Sequence, residues 1–270
     1  MLTTLGLALA GLVAGMYGTI VGAGGGFILV PLLLLTRPDL SAAGITTISL
    51  GSVFFNSMSG SAAYARQHRV DFKTGLLLAA ATVPTSALGA ILVGFVPRRP
   101  FQLMFGAFLV LVAIFVWIRP GIQRRTVRSG ARFHRRLTDA RGNTYEWSYN
   151  LILALGASFI IGFLAALLGV GGGVMLVPVM VTFLSFPPAV ATATSTFVLL
   201  FTSLSATATH LVQGDFRGVE VATLAVAAGT IAGAQLGARI SQRLSSRLIV
   251  RLLAAALAFV GGRLFLSGVL

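Results

Sequence analysis

The sequence predicts an all-α integral membrane protein. It should hold about eight hydrophobic helical segments in two homologous four-segment repeats, inverted relative to one another, with the first and fifth segments broken or re-entrant. Three observations lead there. Hydrophobic residues make up 56% of the 270 and charged residues 10%, and the mean hydropathy is +0.94, far from the balance of soluble domains. Apolar stretches of bilayer-crossing length recur along the chain. One phrase also occurs twice: Gly22 to Pro31 reads GAGGGFILVP, and Gly169 to Pro178 reads GVGGGVMLVP, 147 residues further on.

The apolar stretches lie at about 3 to 35, 40 to 65, 72 to 96, 101 to 118, 149 to 184, 188 to 212, 216 to 238 and 245 to 268. The first is read as part of the mature chain rather than a signal peptide, because no Lys or Arg precedes it and it is echoed in the second half. The first and fifth are too long for one straight span, since ~33 helical residues reach about 50 Å and a hydrocarbon core is about 30 Å thick. Each is expected to break at its glycines. Beyond these knots, Asp71-Phe72 matches Asp215-Phe216 and Gly89 matches Gly233, both 144 residues apart, while Asn56 matches Ser203 at 147. Residues 1–118 and 149–270 are thus read as two transmembrane repeats, and 119–148 as a solvated, Arg-rich cytoplasmic linker.

Charge chooses between the two symmetries. Short cytoplasmic loops carry the Lys and Arg excess. If the first and fifth stretches are re-entrant, the central Arg cluster shares a side with Arg66, Arg69, Lys73, Arg239, Arg243, Arg247 and Arg251, giving fifteen cations against five. Four crossings per repeat would place Arg239, Arg243, Arg247 and Arg251 on the opposite side and divide the cations more evenly, so the inverted arrangement is favoured. The expected location is the cell membrane of a prokaryote, with several passes. The net charge of +14 is therefore a topology signal, with no nucleic-acid partner implied; for the central segment a solvated linker is favoured over a site for anionic lipid.

The function classes narrow on residue types. There is no Cys, and three His and six acids are scattered, so thiolate chemistry, disulfides and metal clusters fall away and no cofactor is expected. Neither knot is a Walker loop, since no Lys-Ser or Lys-Thr follows. An intramembrane enzyme would need a nucleophile with a base, or paired acids, and the spans show no such pairing.

Gly22, Gly24, Gly25 and Gly26, with Gly169, Gly171, Gly172 and Gly173, leave backbone N–H groups open to a ligand at membrane depth, where a half-helix start favours an anion. Close helix packing is the competing reading, because Gly11, Gly15, Gly18, Gly22 and Gly26 also form a small-residue stripe. Consecutive glycines each cost roughly 1 kcal/mol against Ala in a helix, which packing alone does not require. Gly229, Gly233 and Gly237 form a GxxxGxxxG row that packing explains better. Such faces permit a homodimer, but internal packing would use them equally well.

Each knot is followed by a hydroxyl-rich helix: Thr46, Thr47, Ser49 and Asn56 in one half, Thr192, Thr194, Ser195 and Ser203 in the other. These groups can donate to an oxyanion, or they can satisfy themselves on the backbone. His210 is read as an interfacial residue, Asp71 and Asp215 as helix N-caps, and Glu220 as an acid about one turn inside a span whose counterpart is Leu76.

The paired GxGGG-x4-P knots with their Thr/Ser-rich helices resemble the TauE/SafE family of membrane proteins, over essentially the whole chain outside the central loop. The resemblance implies movement of a small anion, such as sulfite or an organosulfonate like sulfoacetate. Alternating access of the two repeats around a midplane site is the expected mechanism. A channel using the same donors is the alternative.

Overall fold

The computed structural model describes residues 4–118 and 133–244, and further on 254, 255, 257–259 and 261–263. The eighth apolar stretch therefore lies largely outside the described residues, as do Arg119, Arg124, Arg125, Arg128 and Arg132 of the linker. In chain order come α1 (Thr4–Val21), α2 (Gly26–Thr36), α3 (Ala42–Arg66), α4 (Phe72–Val93), α5 (Arg98–Ile118), β1 (Phe133–Thr138), β2 (Thr144–Tyr149), α6 (Leu151–Leu167), α7 (Gly173–Thr182), α8 (Pro188–Gln213) and α9 (Glu220–Ser241). Among the described residues five helices, α1, α4, α5, α8 and α9, are long and apolar enough to cross a membrane. Their outward faces carry bare apolar side chains such as Leu5, Trp117 and Val221, as expected of surface turned to lipid.

Facing residues give the helix directions. Along α1 and α9 they climb together, Gly11 meeting Val226 and Gly15 meeting Thr230. Along α3 and α9 they also climb together, Thr230 donating to Ser52 O and Gln235 to Ser59 O. Likewise α4 runs with α6, where Gly162 meets Thr82 and Gly89 meets Phe163 and Leu167, and with α8, where Thr82 bonds Thr202 and Ser205 donates to Val83 O. In contrast, α3 and α8 are antiparallel: Thr46 near the start of α3 lies 3.4 Å from His210 near the end of α8, while Gly60 faces Thr196. Two oppositely directed sheaves result, α1/α3/α9 and α4/α6/α8, and each draws helices from both halves of the sequence.

Because α1 and α3 are parallel, the chain between them must travel back, and α2 makes that return. The first stretch is thus a hairpin, with Gly18 packed on Gly25 at its bend and Tyr17 beside Phe27. Arg98, opening α5, donates to Leu34 O and Leu40 O and fixes the far end of α2. The fifth stretch repeats the pattern in α6 and α7.

Helix boundaries correct the alignment of the halves. The first residues of α4 and α9, Phe72 and Glu220, are 148 apart, not 144, and both helices span 22 residues. Gly89 accordingly corresponds to Gly237: both sit over a carbonyl of the partner helix, Phe163 O and Met16 O. The start of α8 follows that of α3 by 146, which makes Thr202, not Ser203, the counterpart of Asn56. Glu220 is the exposed first residue of α9 rather than an acid inside a span. The small-residue reading holds for Gly229 and Gly233, which lie against Ala8 and Leu12 of α1.

The second half of the linker is structured. β1 and β2 pair antiparallel with Arg135 opposite Trp147 and Leu137 opposite Tyr145. Alternation sorts the two faces. His134–Ser148, Arg136–Glu146 and Thr138–Thr144 pair on the outer one. On the inner one Trp147 and Tyr149 pack on Phe186. The ribbon is clipped to α4 through Asp71, which caps that helix at Thr74 N and takes two bonds from Arg135. Burial, the strongest influence on Asp71, pushes its carboxyl up, but the bonds from Arg135 and Thr74 together hold it below the usual carboxylate range.

A depressed folded value means the clip contributes at neutral pH and is lost as pH falls through that value, below about 4. Arg135→Ala should therefore expose the segment 133–149 to limited proteolysis at pH 7 at the rate wild type shows only in acid. Equal protection of variant and wild type at both pH values would exclude the clip.

Candidate functional site

The two knots cross at the middle of the α3–α8 pair. Gly22, Gly24 and Gly25 have φ of 76, 77 and 83°, and Gly169, Gly171 and Gly172 have 71, 85 and 89°. All six lie in the left-handed region that glycine enters without a Cβ penalty. Gly25 and Gly172 are the N-caps of α2 and α7. The helix breaks expected from the sequence are therefore present, and the conformation explains why glycine stands at these positions.

Each knot is held by the hydroxyl helix of the other half. Ser195 donates to Gly22 O at 2.7 Å and Ser49 to Gly169 O at 2.6 Å. Thr192 lies against Gly22, and Thr46 against Gly169. The knots also touch one another: a Cβ on Gly173 would sit 2.0 Å from Gly22 O, and one on Gly26 would sit 2.7 Å from Gly169 O. Val53 and Leu199 together cover both Gly24 and Gly171. The crossing is closed, with backbone on backbone where the sequence predicts N–H groups open to a ligand.

The loops satisfy part of their own backbone, with Ala23 and Gly24 donating to Gly18 O and Val170 and Gly171 to Ala165 O. The first amides of the half-helices differ. Among the described residues no hydrogen bond ends on the N–H of Gly26 or Phe27, or of Gly173 or Val174, and all four residues are buried. These are the orphan donors every helix start leaves. Here two such starts approach each other in a dry interior, where their dipoles favour negative charge.

The remaining candidates disperse. Thr47 and Ser203 bond their own helix at Ala43 O and Leu199 O. Thr194 accepts from Asp71 N at 3.0 Å and pins the start of α4. Asn56, its amide oriented by its neighbours, donates to Gly15 O at 3.1 Å and Thr230 O at 3.2 Å. It ties α3 to α1 and α9. Ser49 and Ser195 thus bring hydroxyls to the knots. Thr46 and Thr192 touch them only with carbon and backbone atoms, their hydroxyls bonding their own helices at Ala43 O and Pro188 O, and Thr47, Thr194, Asn56 and Ser203 serve helix and interhelix structure.

Sequence reasoning missed a polar string beside the second knot. His210 is fully buried, not interfacial. Its Nδ1 lies 2.8 Å from Asp215 Oδ2 and its Nε2 faces Thr46 Oγ1. Asp215 is consequently a histidine partner and not the cap of α9, whose N-cap is Val219. The left-handed Gly214, ending α8, lets the chain turn so that Asp215 N reaches back to His210 O. A Gly-Asp pair five residues after a buried-face histidine was the available signal.

Known membrane proteins resemble this chain in sequence. A family model described as sulfite exporter TauE/SafE matches residues 7–264. A probable membrane transporter protein of Bacillus subtilis strain 168, YunE, is 30% identical over 215 residues, covering 77% of this chain and 78% of that protein. A probable membrane transporter protein of Methanocaldococcus jannaschii is 26% identical over 211 residues, 76% of this chain and 71% of its own. No solved structure matches. With its crossed glycine knots inside a multi-pass helical membrane protein, the chain belongs to the sulfite exporter TauE/SafE family.

Proposed function

We propose that this protein is a secondary transporter of the cell membrane that carries a small anion, of the sulfur oxyanion or organosulfonate class. Membership of a family of membrane transporters, and not of enzymes, supports the transport half of this reading. The substrate class draws on the family's description and on chemistry. The crossing offers buried amide donors and, among the described residues, no cluster of acids or histidines able to hold a metal cation.

One observation carries the mechanism: corresponding helices α3 and α8 are antiparallel, and each clasps the other half's knot with a serine. Such a pair can rock about the crossing and present it to one face and then the other. The closed knots are then the occluded state, in which the orphan amides of α2 and α7 face the anion's path. The fifteen-to-five distribution of cations supports a cytoplasmic position for the face that carries residues 133–149.

Counterflow in proteoliposomes tests the carrier, with sulfite, sulfate, thiosulfate and organosulfonates as candidates. Saturable exchange is expected, and single-channel currents would replace the carrier with a pore. Because the natural chain lacks cysteine, single cysteines at positions 98 and 243 can report orientation directly. They should label from opposite faces, and labelling from one face would refute the inverted arrangement.

A further inference from the structure

A pocket of about 210 Å³ lies on the face that carries β1 and β2, bounded by the α3–α4 connection, the β1–β2 turn, the start of α8 and the end of α9. It is distinct from the knots. Gln67, Arg69, Asp139, Arg141, Asn143 and Tyr145 supply its polar lining.

Arg69 is the unusual member, being only 5% exposed. Its Nη1 donates to Gln67 Oε1 at 3.3 Å and Ser241 Oγ at 3.5 Å, and its Nη2 donates to Ala189 O at 3.1 Å. Every one of these acceptors is neutral. Its Nε, also buried, has no partner among the described residues. Of five guanidinium N–H groups three are used, which leaves two. Among the described residues Arg69 has no carboxylate within ion-pair distance, and its flat face lies over Tyr64, 5.3 Å from the ring centre.

A buried cation without a counter-charge is costly. The obvious candidate to neutralise it, Asp139, is occupied elsewhere. Its oxygens take the backbone N–H of Arg141 and Asn143, the Asn143 amide and the Tyr145 hydroxyl. Arg141 holds Gln242 at its backbone oxygen and at its side-chain oxygen, so its charge stays at the rim. Two guanidiniums against one carboxylate leave the lining with one positive charge in excess, in a space with room for a small anion and water.

We propose that this pocket binds a tetrahedral oxyanion, sulfate-, sulfonate- or phosphate-like, that supplies the counter-charge Arg69 lacks. The site stands whatever passes through the knots. Its ligand has two sources of the same chemistry: a free oxyanion from the solution, or the phosphate of an anionic lipid headgroup.

The test uses the full-length chain in phosphatidylcholine nanodiscs, titrated with sodium sulfate against sodium chloride at matched ionic strength and followed by thermal unfolding. Sulfate should raise the midpoint saturably. Arg141→Glu, on an exposed side chain, should weaken that dependence at least about tenfold, because a charge-assisted bond is lost and the lining becomes net negative. Arg69→Gln should do the same where it folds, and Arg141→Glu with Gln67→Ala decides the matter where it does not. Replacing part of the lipid with phosphatidylglycerol separates the sources: a sulfate curve displaced to higher concentration identifies the headgroup, and an unmoved one the free anion. Identical responses to sulfate and chloride would overturn the site. So would a sulfate response that survives Arg141→Glu, since that is the behaviour of binding at the knots alone.

Discussion

Gly173→Ala should yield little folded protein and no flux, whereas Gly156→Ala, on the exposed side of α6, should be neutral or stabilising. The difference is one of surroundings. The added methyl on Gly173 would lie 2.0 Å from Gly22 O and 2.8 Å from Ala23 Cα, whereas the one on Gly156 meets nothing within 4 Å. Overpacking a core costs about 1–3 kcal/mol when side chains can yield. Here the obstacle is the backbone of the opposite knot, itself fixed by Ser195, so the cost should lie at the upper end or beyond.

Gly172→Ala and Gly218→Ala bracket the effect of backbone strain. Both positions have positive φ, 89° and 83°, but Gly218 meets nothing within 4 Å and Gly172 two methyls, of Ala165 at 3.1 Å and Ile161 at 3.6 Å. Each should lose about 1–2 kcal/mol for the left-handed conformation. Gly172→Ala should lose flux as well, because the strain falls on the cap of α7. Thermal unfolding in detergent and flux in proteoliposomes read the series. A Gly173→Ala protein as stable and active as wild type would remove the crossed-knot geometry from the mechanism.

Much of this was legible in the sequence because it follows from necessity. Long apolar runs have one solvent in which they are stable. Consecutive glycines inside them announce a backbone that no other residue can follow, and the left-handed φ values at the knots meet that expectation. The register of the halves was less legible for a physical reason: Gly229, Gly233 and Gly237 repeat every four residues, so a slip of one helical turn matches glycine to glycine as well as the true register does. Asp71 and Asp215 reinforced the wrong choice by sharing a residue type and not a role. The hairpin 133–149 was hidden by composition. Its alternation of Phe133, Arg135 and Leu137 with outward polar residues is regular, but one inward position is an arginine whose partner, Asp71, lies 64 residues earlier. The hydroxyl helices were ambiguous because Ser and Thr can always turn to their own backbone. Whether they do depends on what stands opposite, and among the described residues only Ser49 and Ser195 donate to a knot carbonyl.

Those two serines should behave as a matched and coupled pair. Ser49→Ala strips the donor from Gly169 O and Ser195→Ala strips it from Gly22 O, in a region water does not reach. A buried acceptor left unpaired costs about 1–3 kcal/mol. Each single variant should lose that much, and by similar amounts, since the two clasps are equivalent. Thr47→Ala and Ser203→Ala are the controls. Their hydroxyls lean on carbonyls of their own helices, which keep their helical partner when the side chain goes, so each should lose only the packing of the small buried group removed, about 1 kcal/mol or less. The double variant is the sharper measurement. Gly173 touches Gly22 O, and Gly26 touches Gly169 O, so loosening one knot alters the seat of the other. The two losses should therefore fail to add by about 0.5 kcal/mol or more, as contacting sites do. Strict additivity in a double-mutant cycle would mean that the knots open independently. The two halves could not then move as one rocking pair, and the alternating-access reading would have to be given up for a pore with two separate gates.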